Sequence, residues 1–306
     1  MKKICLKVSQ GNLSFENPIL LAGGCASFGE PFQGIFDLRS VGALITKAIT
    51  PLPRGGNPPP RIAETPSGMI NSIGLQNPGV EYFARALLPN LREQGVTVIV
   101  NVAGFSEKDF EEVLIRLKDE PGIYAFELDL SCPNVQDGLI FATDPLLFGR
   151  LLERLRPITS LPLIAKLSPA AGDLVPYGKI AFGAGLEGIT VSNTWPAMAI
   201  DYRTGKTKTK TLTGGLSGPA IKPLTVERVY RCAQAIPGYP ILASGGATCA
   251  EDVIEFIRAG ALAVQLGTVL FLDPESPKKI LERLPQILDE VGVSSINELR
   301  GKVYPP

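Results

Sequence analysis

The chain has 306 residues, 45% of them hydrophobic, which is enough for a sizeable core in one large α/β domain or two ordinary ones. Thirty Lys and Arg balance thirty Asp and Glu, and zero net charge argues against broad binding to nucleic acid or to an anionic membrane surface. Histidine is absent, so proton transfer near neutral pH must use a cysteine, a carboxylate, a lysine or a tyrosine.

The opening Met1-Lys-Lys-Ile-Cys-Leu-Lys-Val8 alternates apolar and polar residues and reads as a strand, not as a targeting helix. Segment Lys2–Glu16, turning at Gln10-Gly-Asn12, predicts a hairpin placed to cover the bottom of a barrel. Eight short, nearly continuous apolar runs follow: Ile19–Ala22, Ala43–Thr46, Thr97–Asn101, Ala125–Leu130, Pro162–Leu167, Glu187–Val191, Pro240–Ser244 and Leu262–Leu266. Such runs suit parallel strands covered on both faces. Between them, Glu81–Gln94, Glu107–Lys118, Pro145–Arg156, Thr225–Ala235 and Ala250–Ala259 carry helical spacing, and several end in glycine, such as Gly95 and Gly260. Eight β-then-α units in this length predict an α/β fold, a (β/α)8 TIM barrel spanning 1–306 as a single domain. A doubly wound open sheet is the competing arrangement. Two connections exceed the usual loop length, Thr50–Asn77 and Pro196–Pro223. Both follow strands and so insert on the C-terminal face, where barrel active sites form. The Lys206–Thr211 centre of the second reads as a surface insertion.

No apolar run approaches the ~20 residues of a membrane span. The five cysteines, Cys5, Cys25, Cys132, Cys232 and Cys249, are odd in number, widely spaced and form no CxxC pair. They read as free thiols of a reducing cytoplasm, with neither structural zinc nor an iron–sulfur cluster in this chain.

Polar and small residues recur where the runs end: Gly23-Gly24, Lys47, Asn101, Asp129 with Cys132, Lys166, Asn193-Thr194, Ser244-Gly-Gly246 and Gly267-Thr268. A barrel gathers them round one mouth. Each could be an ordinary loop residue, but eight coincidences favour a site. Ser244-Gly-Gly-Ala247 and Leu266-Gly-Thr268 follow the last two strands, where barrels often hold a phosphate close to glycine backbone N–H groups. Gly214-Gly-Leu-Ser-Gly218 adds a third glycine-rich loop. Lys47 and Lys166 read either as salt-bridge lysines or as cations facing an anionic cofactor ring and an anionic substrate. Asn71-Ser-Ile-Gly-Leu-Gln-Asn77 offers two asparagine amides suited to a ring of alternating N–H and C=O groups, or is simply an ordered turn. Cys132, just beyond an apolar run and followed by Pro133 and Asn134, reads either as a buried structural thiol or as the candidate base, since a nearby lysine lowers a thiol pKa from its usual ~8.5. The remaining cysteines read as structural.

Asn71-Ser-Ile-Gly-Leu-Gln-Asn-Pro-Gly79, Ser131-Cys-Pro-Asn134, Gly214-Gly-Leu-Ser-Gly218 and Gly245-Gly246 with Gly267-Thr268 together resemble the dihydroorotate dehydrogenases over essentially the whole chain. Cysteine at the base position is similar to class 1, and Pro58-Pro-Pro-Arg61 leading to Asn71 is similar to the NAD-linked class 1B. The resemblance implies FMN in the barrel mouth with dihydroorotate stacked on its ring, Cys132 taking the C5 proton while hydride passes from C6 to the flavin. It implies substrate contacts from Lys47, Asn71, Ser72, Ile73, Gly74, Leu75, Asp129, Asn134, Asn193 and Thr194. Flavin contacts would come from Gly23, Lys47, Ala48, Asn101, Asp129, Lys166, Ser192, Gly218, Gly245, Gly246, Gly267 and Thr268, with Cys25 close by. The family pattern has asparagine where this chain has Asp129. An ionised aspartate offers only acceptors and repels an orotate carboxylate, so Asp129 is protonated, is turned away, or marks a different substrate. No Gly-x-Gly-x-x-Gly fingerprint is present, so electrons bound for NAD need a second protein. The resemblance implies an FAD and iron–sulfur subunit in a heterotetramer built on a homodimer of this chain. The expected activity is oxidation of dihydroorotate to orotate in pyrimidine synthesis. The alternatives are a related dihydropyrimidine-type flavin dehydrogenase and a non-redox phosphate-ligand barrel such as an aldolase or isomerase.

Overall fold

The computed structural model describes residues 4–130 and 141–306. The predicted hairpin forms from β1 (Val8–Gln10) and β2 (Leu13–Phe15), paired antiparallel with Val8 opposite Phe15. Gly11 makes the turn with φ of 54°, a conformation that costs glycine little. Lys2 and Lys3 lie outside the described residues. Buried Leu13 and Phe15 point inward, and the Tyr124 hydroxyl accepts from Ser14 N at 2.7 Å and donates to Ser14 O at 3.0 Å.

Along the chain follow β3 (Ile19–Leu21), β4 (Ala43–Ile45), β5 (Ile62–Thr65), β6 (Gly68–Asn71), β7 (Val98–Val102), β8 (Ile123–Asp129), β9 (Leu163–Lys166) and β10 (Gly188–Val191). The last four are β11 (Trp195–Ala197), β12 (Gly214–Ser217), β13 (Ile241–Ser244) and β14 (Ala263–Leu266). Strands β3, β4, β7, β8, β9, β10, β13 and β14 close into a parallel barrel, sealed where Val264 of β14 pairs with Ile19 of β3. These are the eight apolar runs of the sequence. Closure replaces the open-sheet alternative. Tyr124 stands at the N-terminal end of β8, so the hairpin caps the barrel bottom and leaves the C-terminal mouth for chemistry.

Helices pack outside because their apolar residues recur at three and four. Helix Glu107–Leu117 begins at a capping box between Ser106 and Asp109 and buries Phe110, Val113, Leu114 and Leu117. Helix Pro145–Leu155 starts at Asp144, whose carboxylate accepts from Leu146 N and Leu147 N, and buries Phe148, Leu151, Leu152 and Leu155. Each such large side chain contributes about 1.5–3 kcal/mol. Helices Val175–Gly183 and Ser276–Glu290 were not expected from spacing; the first carries Pro176 and two glycines, the second Pro285. Among the described residues, no helix is long and apolar enough to cross a membrane.

The two long connections differ most from expectation. Instead of loops they build one antiparallel sheet in the order β11-β12-β6-β5, with Gly215 opposite Asn71 and Trp195 opposite Leu216. The third glycine-rich loop is therefore strand β12. Glycine is needed because the chains press together: a Cβ on Gly68 would lie 2.0 Å from Ser217 O. Nor is Lys206–Thr211 a bare surface insertion. Lys210 N donates to Pro60 O at 2.8 Å and Thr211 Oγ1 lies 2.6 Å from Ser72 Oγ, tying one connection to the other.

Gly68→Ala should therefore lower the thermal midpoint and raise amide exchange in Met69–Asn71 and Gly214–Ser217, while barrel strands stay protected; hydrogen-exchange mass spectrometry reads both.

Candidate active site

The mouth is organised around a charge inside the barrel. Glu127 of β8 is fully buried, and its carboxylate accepts from Asn101 Nδ2, Thr190 Oγ1 and Gln265 Nε2, each at 2.7 Å. Lys166, buried at the end of β9, places Nζ 3.4 Å from Glu127 Oε1. Burial disfavours the ammonium, but the Glu127 and Asp129 carboxylates outweigh burial and hold the Lys166 pKa above the ordinary lysine value. Four strands thus converge on one carboxylate, and that carboxylate fixes one cation. Glu127, Thr190 and Gln265 escaped the sequence reading; the signal was a polar residue in the interior of each mostly apolar run.

Around this pair the expected cofactor residues come together. A Cβ on Gly23 would lie 3.4 Å from Asn101 Nδ2, and one on Gly267 would lie 3.5 Å from Cys25 Sγ. Thr268 Oγ1 donates to Ser217 Oγ at 2.8 Å, and a Cβ on Gly218 would meet Thr268 Cγ2 at 3.5 Å. Buried Ser192 donates its N–H to Ser244 O, next to Gly245 and Gly246. Gly246 leaves no space for a side chain, since its Cβ would meet the Lys222 backbone N at 2.7 Å. Lys222 itself is occupied by Asp252 and Glu255, both at 2.7 Å, so an anion near these glycines would rely on the backbone.

The expected substrate residues form the opposite rim. Asn71 Nδ2 donates to Gly215 O at 3.1 Å, and Thr194 Oγ1 lies against Gly215. Asn193 Nδ2 donates to Asp129 Oδ1 at 3.0 Å, and Asp129 pairs in register with Lys166. Asp129 is therefore not turned away from the mouth. Ser72, Ile73, Gly74 and Leu75 are half-buried; Asn57 N donates to Ile73 O at 2.9 Å and Asn57 Nδ2 to Ser72 Oγ at 3.0 Å. Of the two asparagine amides expected to face a ring, Asn77 is spent on structure, bonding Thr50, Leu75 and Gly79. Lys47 and Ala48 are half-buried beyond β4, and the Lys47 pKa is held down by burial and by Arg61, with Glu30 opposing. Arg61, also unforeseen as a site neighbour, braces the rim through Asn57 O, Gln76 Oε1 and Gly55 O. Cys132 and Asn134 lie outside the described residues.

The donor set fits a flavin ring. Among the described residues, Asn101 Oδ1 and Gln265 Oε1 are buried acceptors without a partner, and Lys166 brings an ammonium beside Asn101. A flavin's pyrimidine edge alternates N–H and C=O groups, so it offers a donor to an amide oxygen and an acceptor to a cation. Among the described residues, no group of three or more His, Cys, Asp or Glu could hold a metal ion.

Glu127→Ala removes the partner of a buried cation and should destabilise the fold by about 3–5 kcal/mol in denaturant titration. The Cys25 thiol is pushed up to about 11 by burial, with Lys166 partly offsetting. Its folded value exceeds its unfolded one, so its share of stability is full below about pH 9 and fades as pH rises through about 11. Peptide mapping after iodoacetamide treatment should show Cys25 alkylated far more slowly than exposed Cys5 at pH 8, and its rate climbing towards pH 11.

Comparison with known proteins agrees with this geometry. The dihydroorotate dehydrogenase family model matches residues 5–288. A Listeria innocua protein named dihydroorotate dehydrogenase B (NAD(+)), catalytic subunit, is 43% identical over 299 residues, covering 97% of this chain and 98% of the relative. Proteins of the same name from Anoxybacillus flavithermus (44% over 300 residues, 98% of this chain and 96% of the relative) and Bacillus cereus AH187 (43% over 300 residues, 98% and 97%) are similarly close. With a matching family model over most of its length, full-length relatives above 40% identity and a barrel mouth built from the motif residues, the chain belongs to the dihydroorotate dehydrogenase family.

Proposed function

We propose that this chain is a single-domain, FMN-containing catalytic subunit that oxidises dihydroorotate to orotate in pyrimidine synthesis. The observation that carries this reading is the buried Lys166 ammonium, held by Glu127 beside Asn101 Oδ1, which has no partner among the described residues, at the mouth of a barrel whose family is dihydroorotate dehydrogenase. Asn101 and Lys166 would hold the ring's polar edge, Gly23, Ala48, Ser192 and Gly267 would line it, and Gly218, Gly245, Gly246 and Thr268 would admit the phosphate end. When bound, FMN supplies the acceptor for the electron pair that leaves C6 of the substrate as hydride. Cys132 removes the C5 proton as the C5–C6 double bond forms. Lys47, Asn71, Asn134, Asn193 and Thr194 orient the ring, and Ser72 to Leu75 screen it from water.

The relatives are named as catalytic subunits of NAD-linked enzymes, which supports a partner that carries electrons onward. An FAD and iron–sulfur subunit, in a heterotetramer on a homodimer of this chain, would meet that need, and a reducing cytoplasm suits free thiols at Cys5, Cys25, Cys232 and Cys249. The carboxylate at Asp129 favours one second reading, a dehydrogenase of an uncharged dihydropyrimidine.

Anaerobic mixing of the yellow, FMN-loaded protein with dihydroorotate should bleach the flavin absorbance, whereas dihydrouracil should not. Bleaching by dihydrouracil alone would favour the second reading. Cys132→Ser should retain FMN yet be reduced about 10²–10⁴-fold more slowly near neutral pH, because a serine hydroxyl is a far weaker base. Unchanged reduction would remove Cys132 from its role.

A further inference from the structure

Two carboxylates stand on a single buried cation. Glu127 meets Lys166 from inside the barrel at 3.4 Å and accepts from three neutral donors. Asp129, two residues further along β8 and therefore on the same face of the strand, pairs in register with Lys166 and adds to the attraction on its ammonium. Its Oδ1 also accepts from Asn193 Nδ2 at 3.0 Å, so the carboxylate is tethered between the cofactor lysine and a substrate-side amide. An asparagine would satisfy much of this geometry without charge. Aspartate instead sets a second carboxyl group, after Glu127, against the single Lys166 ammonium beside the place assigned to an anionic ring.

We propose that Asp129 is a specificity-determining residue that weakens the hold of the site on the anionic product relative to an uncharged ring of the same shape. Resting on the flavin site proposed above, it follows from charge alone: a fixed like charge opposes the orotate carboxylate and leaves an uncharged ring unaffected. Dihydroorotate carries the same carboxylate, so the charge weakens the hold on substrate and product alike.

Binding is read on FMN-loaded protein by the flavin spectral shift, with orotate and its neutral carboxamide as paired probes. Asp129→Asn should tighten orotate about tenfold or more while moving the carboxamide less than about twofold, a change in the ratio that mere loosening of the site would not produce. Asp129→Ser, which removes the charge without an amide, should shift the ratio the same way and serves if the asparagine variant folds poorly. Equal changes for both probes, or none, overturn the inference while normal bleaching by dihydroorotate leaves the assigned function standing. Failure of the unsubstituted protein to take up FMN or to be bleached overturns both.

Discussion

The ion pair between Glu127 and Lys166 is the constraint on which the rest of the mouth depends. A carboxylate with no solvent exposure is costly to bury alone, and it persists here because Asn101, Thr190, Gln265 and Lys166 all give it hydrogen bonds or charge. Each of those partners comes from a different strand, so only the closed barrel assembles them. The pair in turn keeps an ammonium buried at the end of β9, where an ordinary lysine would reach for water. Positive charge that survives burial is the property an electron-accepting ring requires of its surroundings. In a chain without histidine, cysteines, carboxylates, lysines and tyrosines are the side chains left for proton transfer near neutral pH.

The fold extends that constraint outward in two directions. Below, the hairpin closes the barrel bottom through Tyr124 and Ser14, leaving only the C-terminal face open. Above, the β11-β12-β6-β5 sheet joins the two long connections into a single wall, and Asn71 and Thr194 meet across Gly215. Residues 123 positions apart in sequence thereby share a rim. Arg61 and Asn57 brace the far side of that rim, so the segment 72–75 is held by backbone and amide bonds instead of by a core of its own.

Much of this was legible in the sequence, for physical reasons. Strands covered on both faces need continuous apolar runs, so Leu163–Lys166 and Ala263–Leu266 were visible directly. The hairpin announced itself by alternation and by Gly11. The second sheet was not legible: Gly68–Asn71 and Gly214–Ser217 form strands through close backbone approach, with glycine where alternation would otherwise show. Helix Ser276–Glu290 hid behind Pro285. At the site, strand-end residues such as Lys166, Asn193 and Gly267 could be read from position alone. The role of Glu127 could not, because its meaning lies in partners contributed by β7, β9, β10 and β14. Asp129 was visible as a departure, and its tether to Asn193 emerged only in three dimensions.

Titration of the apoprotein with FMN, followed by quenching of flavin fluorescence, tests most directly whether the buried ammonium is a flavin ligand. The unsubstituted chain should bind FMN stoichiometrically, and Lys166→Met, which keeps the apolar stem and deletes the charge, should bind it much more weakly while remaining folded by circular dichroism. Equal affinity in the two proteins would contradict the account.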